Sequence, residues 1–228
     1  MENAAVNGKK IAAGKAIEYI KSGMTVGLGT GSTAYWAIQG IGEMVKKGLQ
    51  VKAIATSIQS ENLARELAIP IVSFGEIDHL DVTIDGADEV DQQLNLIKGG
   101  GGALLREKIV AAATTFYIII VDESKLVRHL GQFPLPVEVT PFGWEITERR
   151  LRELGCTSTM RMKDNRPFLT DNQHYILDCS FGTISDPARL HERVSAITGV
   201  MEDGFFINMA SIVIAGAPGG ETKVLSRG

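Results

Sequence analysis

The fold is decided by residues 24–47, which read MTVGLGTGSTAYWAIQGIGEMVKK. A short apolar strand runs into glycines, and a helix follows whose first turn can be capped by Ser32 or Thr33. A glycine-rich turn between a strand and a helix presents backbone N–H groups and the positive end of the helix dipole to an anion. The stretch therefore predicts a strand, a turn and a helix, with a phosphate site at the turn.

Strands and helices alternate along the rest of the first half of the chain. A helix is predicted over residues 9–21, and further strands and helices are predicted at 51–56, 57–68, 69–74, 81–89, 103–114 and 116–122. Such alternation is typical of a parallel sheet covered by helices on both faces, with ligands at the carboxyl ends of the strands. We predict an α/β fold with a Rossmann-like, mostly parallel sheet.

The pattern of the sequence changes after Asp122, where FPLPVEVTPFGW at residues 133–144 contains three prolines. Shorter strands and two helices follow, an order typical of an α+β domain. The segment GFFINMASIVIAG at residues 204–216 resumes the texture of a buried strand. We predict a main domain over 1–127 and 205–228, with a smaller α+β domain over 128–204 inserted in it.

Composition excludes several classes of protein. A formal net charge of -4, without a long Lys/Arg run, gives no electrostatic footprint for nucleic acid. The chain has no apolar stretch long enough to span a membrane and no apolar core of a signal peptide at its start. We predict a cytoplasmic protein with neither a nucleic-acid nor a membrane partner.

Metal-binding patterns are missing from the sequence. The two cysteines, Cys156 and Cys179, form no CxxC pair, and the four histidines show no HExxH spacing. Buried free thiols and surface or capping histidines are the simpler interpretation. We predict no metal.

The turn at residues 29–34 has three competing interpretations besides a phosphate site. Gly29 to Ala34 satisfies G-x-G-x-x-A, but the next strand ends in Ala55-Thr56-Ser57, with no acidic residue to hold the ribose of a dinucleotide. A nucleoside triphosphate loop would need Lys after the last glycine, where Ser32 stands. A purely structural tight turn remains possible.

Two more segments carry polar groups or glycines at predicted strand ends. Residues 85–89 read DGADE, which suits a ligand-binding turn at the sheet edge, a solvated acidic turn or a magnesium site. Residues 98–108 read KGGGGALLREK. Because each ordered glycine costs roughly 0.5–1 kcal/mol relative to alanine, close approach of the backbone to a ligand explains the four glycines best.

Glu107 falls about one turn into the helix that follows these glycines, on a face shared with Ala103, Val110 and Ala111. Partial desolvation would raise the pKa of its carboxyl towards the working pH, as a general base requires. The alternative is an ordinary helix glutamate that reaches solvent beside Arg106.

Taken in order, GLGTGSTA (27–34), TSIQS (56–60), DGADEVD (85–91), KGGGGALLREK (98–108) and VDESK (121–125) resemble the A-type ribose-5-phosphate isomerases. The resemblance extends to PLPVEV (134–139), LTDN (169–172) and the closing strand segment. The ordered set is far more specific than any one motif. The second serine of TSIQS stands where relatives often have threonine.

The resemblance implies the site residues. Glu107 would be the general base, with Asp85 and Lys98 as further catalytic residues. The implied substrate-binding residues are Lys9, Thr30, Gly31, Ser32, Thr33, Asp85, Gly86, Ala87, Asp88, Lys98, Gly99, Gly100, Gly101, Asp122 and Lys125. Asp85 would help to open the sugar ring, and Glu107 would move a proton between C2 and C1 through an enediolate.

The resemblance also implies a pentose phosphate substrate, no cofactor, and a homodimer or possibly a homotetramer. One rival is a sugar-phosphate sensor, but such regulators usually carry a DNA-reading module, and the sequence offers no basic helix-turn-helix. Another is a lactone hydrolase or amino-sugar isomerase, which would be expected to place a histidine near its carboxylates. No histidine lies within the five ordered motifs.

Overall fold

The computed structural model describes residues 2–227. The helices are α1 (Glu2–Ile17), α2 (Ser32–Lys46), α3 (Ile58–Glu66), α4 (Leu104–Ala112), α5 (Trp144–Arg152) and α6 (Pro187–Ser195). The strands are β1 (Thr25–Leu28), β2 (Lys52–Ala55), β3 (Leu80–Gly86), β4 (Glu89–Val90), β5 (Leu96–Ile97), β6 (Thr114–Asp122), β7 (Leu135–Val139), β8 (Thr157–Met160), β9 (Met162–Lys163), β10 (Arg166–Pro167), β11 (Tyr175–Ser180), β12 (Val200–Asp203), β13 (Phe205–Phe206), β14 (Ile212–Gly216) and β15 (Thr222–Ser226).

The chain divides into two compact units. The first contains the residues up to 87, residues 106–126 and the residues from 208 onward, and the second contains 88–105 and 127–207. Residues 88–105 thus group with the second unit, although the sequence placed them in the main domain. Compactness and independent folding are different properties, so the division into domains stays a prediction.

The first unit is built on a six-stranded sheet in the order β15-β14-β6-β3-β1-β2. All neighbouring strands pair in parallel except β14 and β15, which are antiparallel. This confirms the predicted mostly parallel α/β sheet. Its core joins side chains of α1 and α2 to those of the central strands, among them Ala12, Ala16, Ile38, Ile41, Val26, Leu28, Ile84, Ile118, Ile120 and Ile214.

Three local predictions were wrong. The first helix spans Glu2–Ile17 rather than 9–21, because turns replace the helix after Ile17 and lead to Gly23 at φ 95°. The predicted strand at 69–74 is reduced to a single bridge between Ile71 and Ala53. The cap of α2 is Gly31, without a side-chain hydrogen bond, rather than Ser32 or Thr33.

The second unit is mainly antiparallel. A four-stranded sheet runs in the order β12-β7-β11-β8, a three-stranded sheet runs in the order β13-β5-β4, and β9 pairs with β10. Its apolar core includes Leu135, Val137, Leu151, Leu177 and Val194. Cys156 and Cys179 belong to the same core as buried free thiols, as the sequence suggested.

Among the helices of residues 2–227, none combines the length and the apolar character that crossing a membrane requires.

Candidate active site

Three neighbouring parallel strands deliver predicted site residues at their carboxyl ends. β1 ends at Leu28 before the glycine-rich turn, β3 contains Asp85 and Gly86 at its end, and β6 ends at Asp122. β3 lies between β1 and β6 in the sheet. The first unit therefore gathers these segments at one edge of its sheet, where ligands of parallel sheets bind.

The turn before α2 is built to receive an anion. Gly31 has φ 99° and ψ -178°, a conformation essentially restricted to glycine, and no side chain caps the helix. The N–H groups of the first helical turn therefore have no side-chain cap, as the predicted phosphate site requires. Lys9 of α1 adds a positive charge, with its Nζ 3.0 Å from Ser32 Oγ.

A pocket of about 460 Å³ opens beside this turn. It is lined by Lys9, Gly31, Ser32, Tyr35, Trp36 and Gln59. The predicted phosphate-binding residues of the first helical turn are therefore accessible.

Thr30 has a different role from its neighbours. Its hydroxyl lies 2.7 Å from Thr56 Oγ1 and donates to Ser57 Oγ at 2.8 Å. Ser60 Oγ donates in turn to the carbonyl of Gly29 at 2.7 Å. The TSIQS segment thus stabilises the turn through hydrogen bonds. The hydroxyl of Thr30 belongs to a hydroxyl cluster with Thr56, Ser57 and Ser60.

Asp85 is fully buried and is held by the backbone. Its Oδ1 accepts hydrogen bonds from the N–H groups of Thr30 at 3.1 Å and Gly86 at 2.7 Å. Its Oδ2 accepts one from the Tyr117 hydroxyl at 3.3 Å. A Cβ on Gly29 would meet Asp85 Oδ1 at 2.2 Å, so the close approach requires glycine.

Glu107 lies in the first turn of α4 and is 5% exposed. Ala103, Val110 and Ala111, its predicted neighbours on that face, are buried as well. The pKa of Tyr117 is raised well above its usual value. Burial of the hydroxyl is the largest cause, and the negative charges of Asp85 and Glu107 add to it. The first unit therefore brings Asp85, Glu107 and Tyr117 into one buried group.

Asp122 and Lys125 lie in one turn at the end of β6. Asp122 Oδ1 accepts from the Ser124 N–H at 3.2 Å and from the Ser124 hydroxyl, and so caps the short 3-10 helix Glu123–Lys125. Lys125 is half-buried in this helix. The carboxylate of Asp122 thus has a structural partner in its own turn.

The remaining predicted residues, Asp88, Lys98 and Gly99–Gly101, belong to the second unit. Lys98 is 2% exposed, and its Nζ lies 5.3 Å from the centre of the Phe206 ring. Asp88 Oδ2 accepts a hydrogen bond from Gly100 N–H at 2.8 Å. A Cβ on Gly100 would meet Asp88 Oδ1 at 2.6 Å, so a larger residue in this part of KGGGGALLREK would displace the Asp88 carboxylate.

Tyr117 is the residue that sequence reasoning missed in the first unit. It lies within FYIIIVD, which reads as a plain buried strand. A tyrosine in such a strand must find a partner for its hydroxyl. The sequence could therefore have predicted that Tyr117 has a hydrogen-bond partner, but not that the partner is the carboxylate of Asp85.

One further group of residues could ligate a metal. In the described part of the second unit, ligand atoms of His191, Glu202 and Asp203 lie within 4.8 Å of one another. His191 Nδ1 is 2.8 Å from Asp203 Oδ2, and Glu202 Oε1 accepts from Asp203 N–H. These hydrogen bonds between α6 and β12 account for the grouping.

Comparison with known proteins identifies the family of the chain. The family model described as ribose 5-phosphate isomerase A (phosphoriboisomerase A) matches residues 52–220. The chain belongs to this family. A ribose-5-phosphate isomerase A of Bacillus cereus is 55% identical over 94% of this chain and 98% of its own length.

Solved ribose-5-phosphate isomerases have the same fold. One is 42% identical with a TM-score of 0.92 over 96% of this chain and 97% of its own. Another, from Plasmodium falciparum, is 41% identical with a TM-score of 0.92 over the same shares of the two chains. The isomerase family and the observed α/β architecture are therefore consistent.

Proposed function

We propose that the protein interconverts D-ribose 5-phosphate and D-ribulose 5-phosphate in the non-oxidative pentose phosphate pathway. Membership of the isomerase family supports this reaction. The observation that carries the assignment of roles is the buried group of Asp85, Glu107 and Tyr117 in the unit that also holds the anion-binding turn. The solved relative that is 42% identical was determined in complex with phospho-erythronic acid, a phosphorylated sugar acid.

The phosphate is bound by the first turn of α2, with Ser32, Thr33 and Lys9 as donors and positive charge. The contribution of Thr30 and Gly31 is made by the backbone, because the Thr30 hydroxyl bonds the hydroxyl cluster. A helix N-terminus carries a partial positive charge of roughly half an elementary charge. This end of the substrate is held while the other end reacts.

Asp85 assists the opening of the furanose ring, and Glu107 then acts as the base. Glu107 takes the proton from C2 of the open aldose, which leaves an enediolate, and returns it to C1. The hydroxyl proton moves from O2 to O1, so the product is the ketose and the enzyme is unchanged. Asp85 is suited to a fixed role because three hydrogen bonds orient its carboxylate.

Lys98 and the backbone of the Gly99–Gly101 loop are assigned, on the family resemblance, to the side of the site where the oxyanion develops. Preorganised donors of this kind are often the largest single contribution to an enzyme's rate. Gly86, Ala87, Asp88, Asp122 and Lys125 complete the proposed substrate-binding set. No metal or cofactor takes part, and a homodimer located in the cytoplasm completes the proposal.

The decisive experiment measures ribulose 5-phosphate formation from ribose 5-phosphate by the purified protein in excess chelator. We expect full turnover there. Glu107→Gln should lower kcat by ~10²–10⁴ because it removes a positioned base, while a phosphorylated sugar acid still binds. Glu43→Gln, on the exposed surface of α2, is the matched control and should retain wild-type kcat.

Absence of turnover with the wild-type protein would contradict the proposed reaction. Turnover that disappears with chelator would contradict the metal-free mechanism. Wild-type kcat in Glu107→Gln would remove Glu107 from the role of base.

A further inference from the structure

The glycine segment of the second unit forms a closed turn. Gly102 N–H donates to the Gly99 carbonyl at 3.0 Å, and both glycines have positive φ, 103° at Gly99 and 80° at Gly102. Gly100 and Gly101, between them, are exposed. The two central residues are therefore accessible to solvent, while both ends of the turn are fixed.

Arg161 binds this turn from one side. Its Nη1 donates to the Gly99 carbonyl at 2.7 Å and to the Gly100 carbonyl at 3.2 Å. The Arg161 side chain is 15% exposed, and its guanidinium forms a two-pronged ion pair with Asp178 of β11, through Nε at 3.0 Å and through Nη2. One arginine thus joins a strand carboxylate to two successive carbonyls of the turn.

The backbone of Arg161 is fixed on both sides. Its N–H donates to the Ile176 carbonyl at 2.8 Å, and its carbonyl accepts from Phe168 N–H at 2.8 Å. A side chain that is anchored at its base and at its guanidinium loses little freedom on holding a partner. Arg161 can therefore impose a geometry on the glycine turn rather than follow it.

We propose that Arg161, held by Asp178, is a positioning residue for the reaction: it sets the direction of the N–H groups in the Gly99–Gly101 segment. This inference rests on the proposed function, which assigns that segment to the substrate. Nothing in the family resemblance assigned Arg161 or Asp178 a role.

A trans peptide is planar, and its C=O and N–H point in opposite directions; the described chain contains no cis peptide. The Gly99 carbonyl shares a peptide with the Gly100 N–H, and the Gly100 carbonyl shares one with the Gly101 N–H. Two carbonyls directed at Arg161 therefore direct two N–H groups away from it.

The two N–H groups have different uses. Gly100 N–H donates to Asp88 Oδ2 at 2.8 Å and so fixes a carboxylate that the proposed function places at the sugar. Gly101 N–H, in the exposed part of the turn, is directed away from the guanidinium and is suited to a developing oxyanion. The positive charge of Arg161 also polarises both peptides, which makes each N–H a stronger donor.

The test compares the steady-state kinetics of Arg161→Ala, Arg161→Lys and Asp178→Asn with wild type over a range of ribose 5-phosphate concentrations. We expect kcat of Arg161→Ala to fall by ~10²-fold, the cost of a small misplacement of reacting groups. KM should change little, since the bound substrate carries no oxyanion until the reaction towards the enediolate begins. Arg161→Lys keeps the positive charge but loses the planar guanidinium. We expect the kcat values of Arg161→Lys and Asp178→Asn to lie between those of Arg161→Ala and wild type.

Arg152→Ala is the matched control. Arg152 lies in the same unit and also bonds a carboxylate and a backbone carbonyl, those of Glu148 and Ser158. The kcat of Arg152→Ala should equal that of the wild-type protein. Added methylguanidinium should restore part of the kcat of Arg161→Ala and none of any loss in Arg152→Ala.

Several results would overturn the positioning role. These are wild-type kcat in folded Arg161→Ala, an equal loss in Arg152→Ala, or a loss explained by a smaller folded fraction and unaffected by methylguanidinium. If Arg161→Ala does not fold, wild-type kcat in Asp178→Asn overturns it instead. Absence of turnover in the wild-type protein would be a failure of the proposed function, which is a separate result.

Discussion

The buried hydroxyl of Tyr117 shows how one residue supports a carboxylate. Tyr117 stands in the middle of β6, a strand otherwise made largely of aliphatic core residues, and donates to Asp85 at the end of the neighbouring strand. A buried carboxylate needs several donors, because burial without them costs several kcal/mol. Tyr117 is therefore part of what allows Asp85 to stay buried.

This environment predicts a pH dependence. The pKa of Tyr117 is raised in the folded state, so between the unfolded pKa near 10 and the higher folded pKa only the folded state keeps the proton. The free energy of unfolding should then fall by up to ~1.4 kcal/mol per pH unit above pH ~10, and be unaffected by this group below it. Urea unfolding at a series of alkaline pH values measures the slope.

Tyr117→Phe should lose this part of the alkaline slope, whereas Tyr35→Phe, at a partly exposed tyrosine, should retain it. Tyr117→Phe should also lower the free energy of unfolding at neutral pH by about 1.5–3 kcal/mol, the usual contribution of a hydrogen bond to a charged group. An alkaline slope that is the same in Tyr117→Phe and wild type would contradict the assignment.

At the scale of elements, the strand, turn and helix of residues 25–46 are predictable because their signals are local. The alternation of apolar runs and glycines lies within one window of the sequence. The cap was predicted wrongly because Ser32 and Thr33 are good capping residues, yet the helix already begins at Ser32. A turn that leaves its N–H groups to a ligand departs from ordinary capping.

Gly31→Ala tests this turn. Its conformation is essentially closed to alanine, so we expect the free energy of unfolding to fall by about 1–3 kcal/mol and the KM for ribose 5-phosphate to rise. Gly14→Ala is the control, because Gly14 lies inside α1 and an alanine Cβ there would meet no atom within 4 Å. That change should stabilise the protein by about 0.4–1 kcal/mol.

Urea unfolding and steady-state kinetics on both variants give the comparison. A Gly31→Ala protein as stable as Gly14→Ala, with unchanged KM, would contradict the proposed anion-binding turn.

At the scale of the whole molecule, each compact unit has its own apolar core and its own sheets. The order of strands and helices in the sequence was sufficient to predict the parallel sheet. That order does not show that residues 88–105 belong to the second compact unit. β4 and β5 are two-residue strands, and β5 pairs with β13, more than a hundred residues later. Short strands carry too little periodicity to be recognised.

The same limit applies to the site. The ordered motifs identify Glu107, Asp85 and Lys98 because each lies in a distinctive local segment. Arg161 is 62 residues from Gly99, and nothing in MRMKDNRP distinguishes it from a surface arginine. Contacts of this separation depend on the pairing of β8 with β11, which places Arg161 near Asp178.

We propose that two exposed apolar side chains of the second unit contribute to contacts between chains. Phe142 is 96% exposed and Ile146, in the first turn of α5, is 56% exposed. Contiguous exposed apolar surface marks protein interfaces. We expect sedimentation equilibrium at micromolar concentration to give twice the mass of the 24.6 kDa chain. A single-chain mass under those conditions would contradict the proposed homodimer.

The course of the chain through the first unit also has a consequence for biosynthesis. β6 pairs with β3 on one side and with β14 on the other, and β14 begins only at Ile212. While the ribosome is still making residues 123–211, one edge of a strand rich in isoleucine has no permanent neighbour. Exposed strand edges of this kind invite aggregation, so we expect the nascent polypeptide to need protection of this edge until β14 has been made.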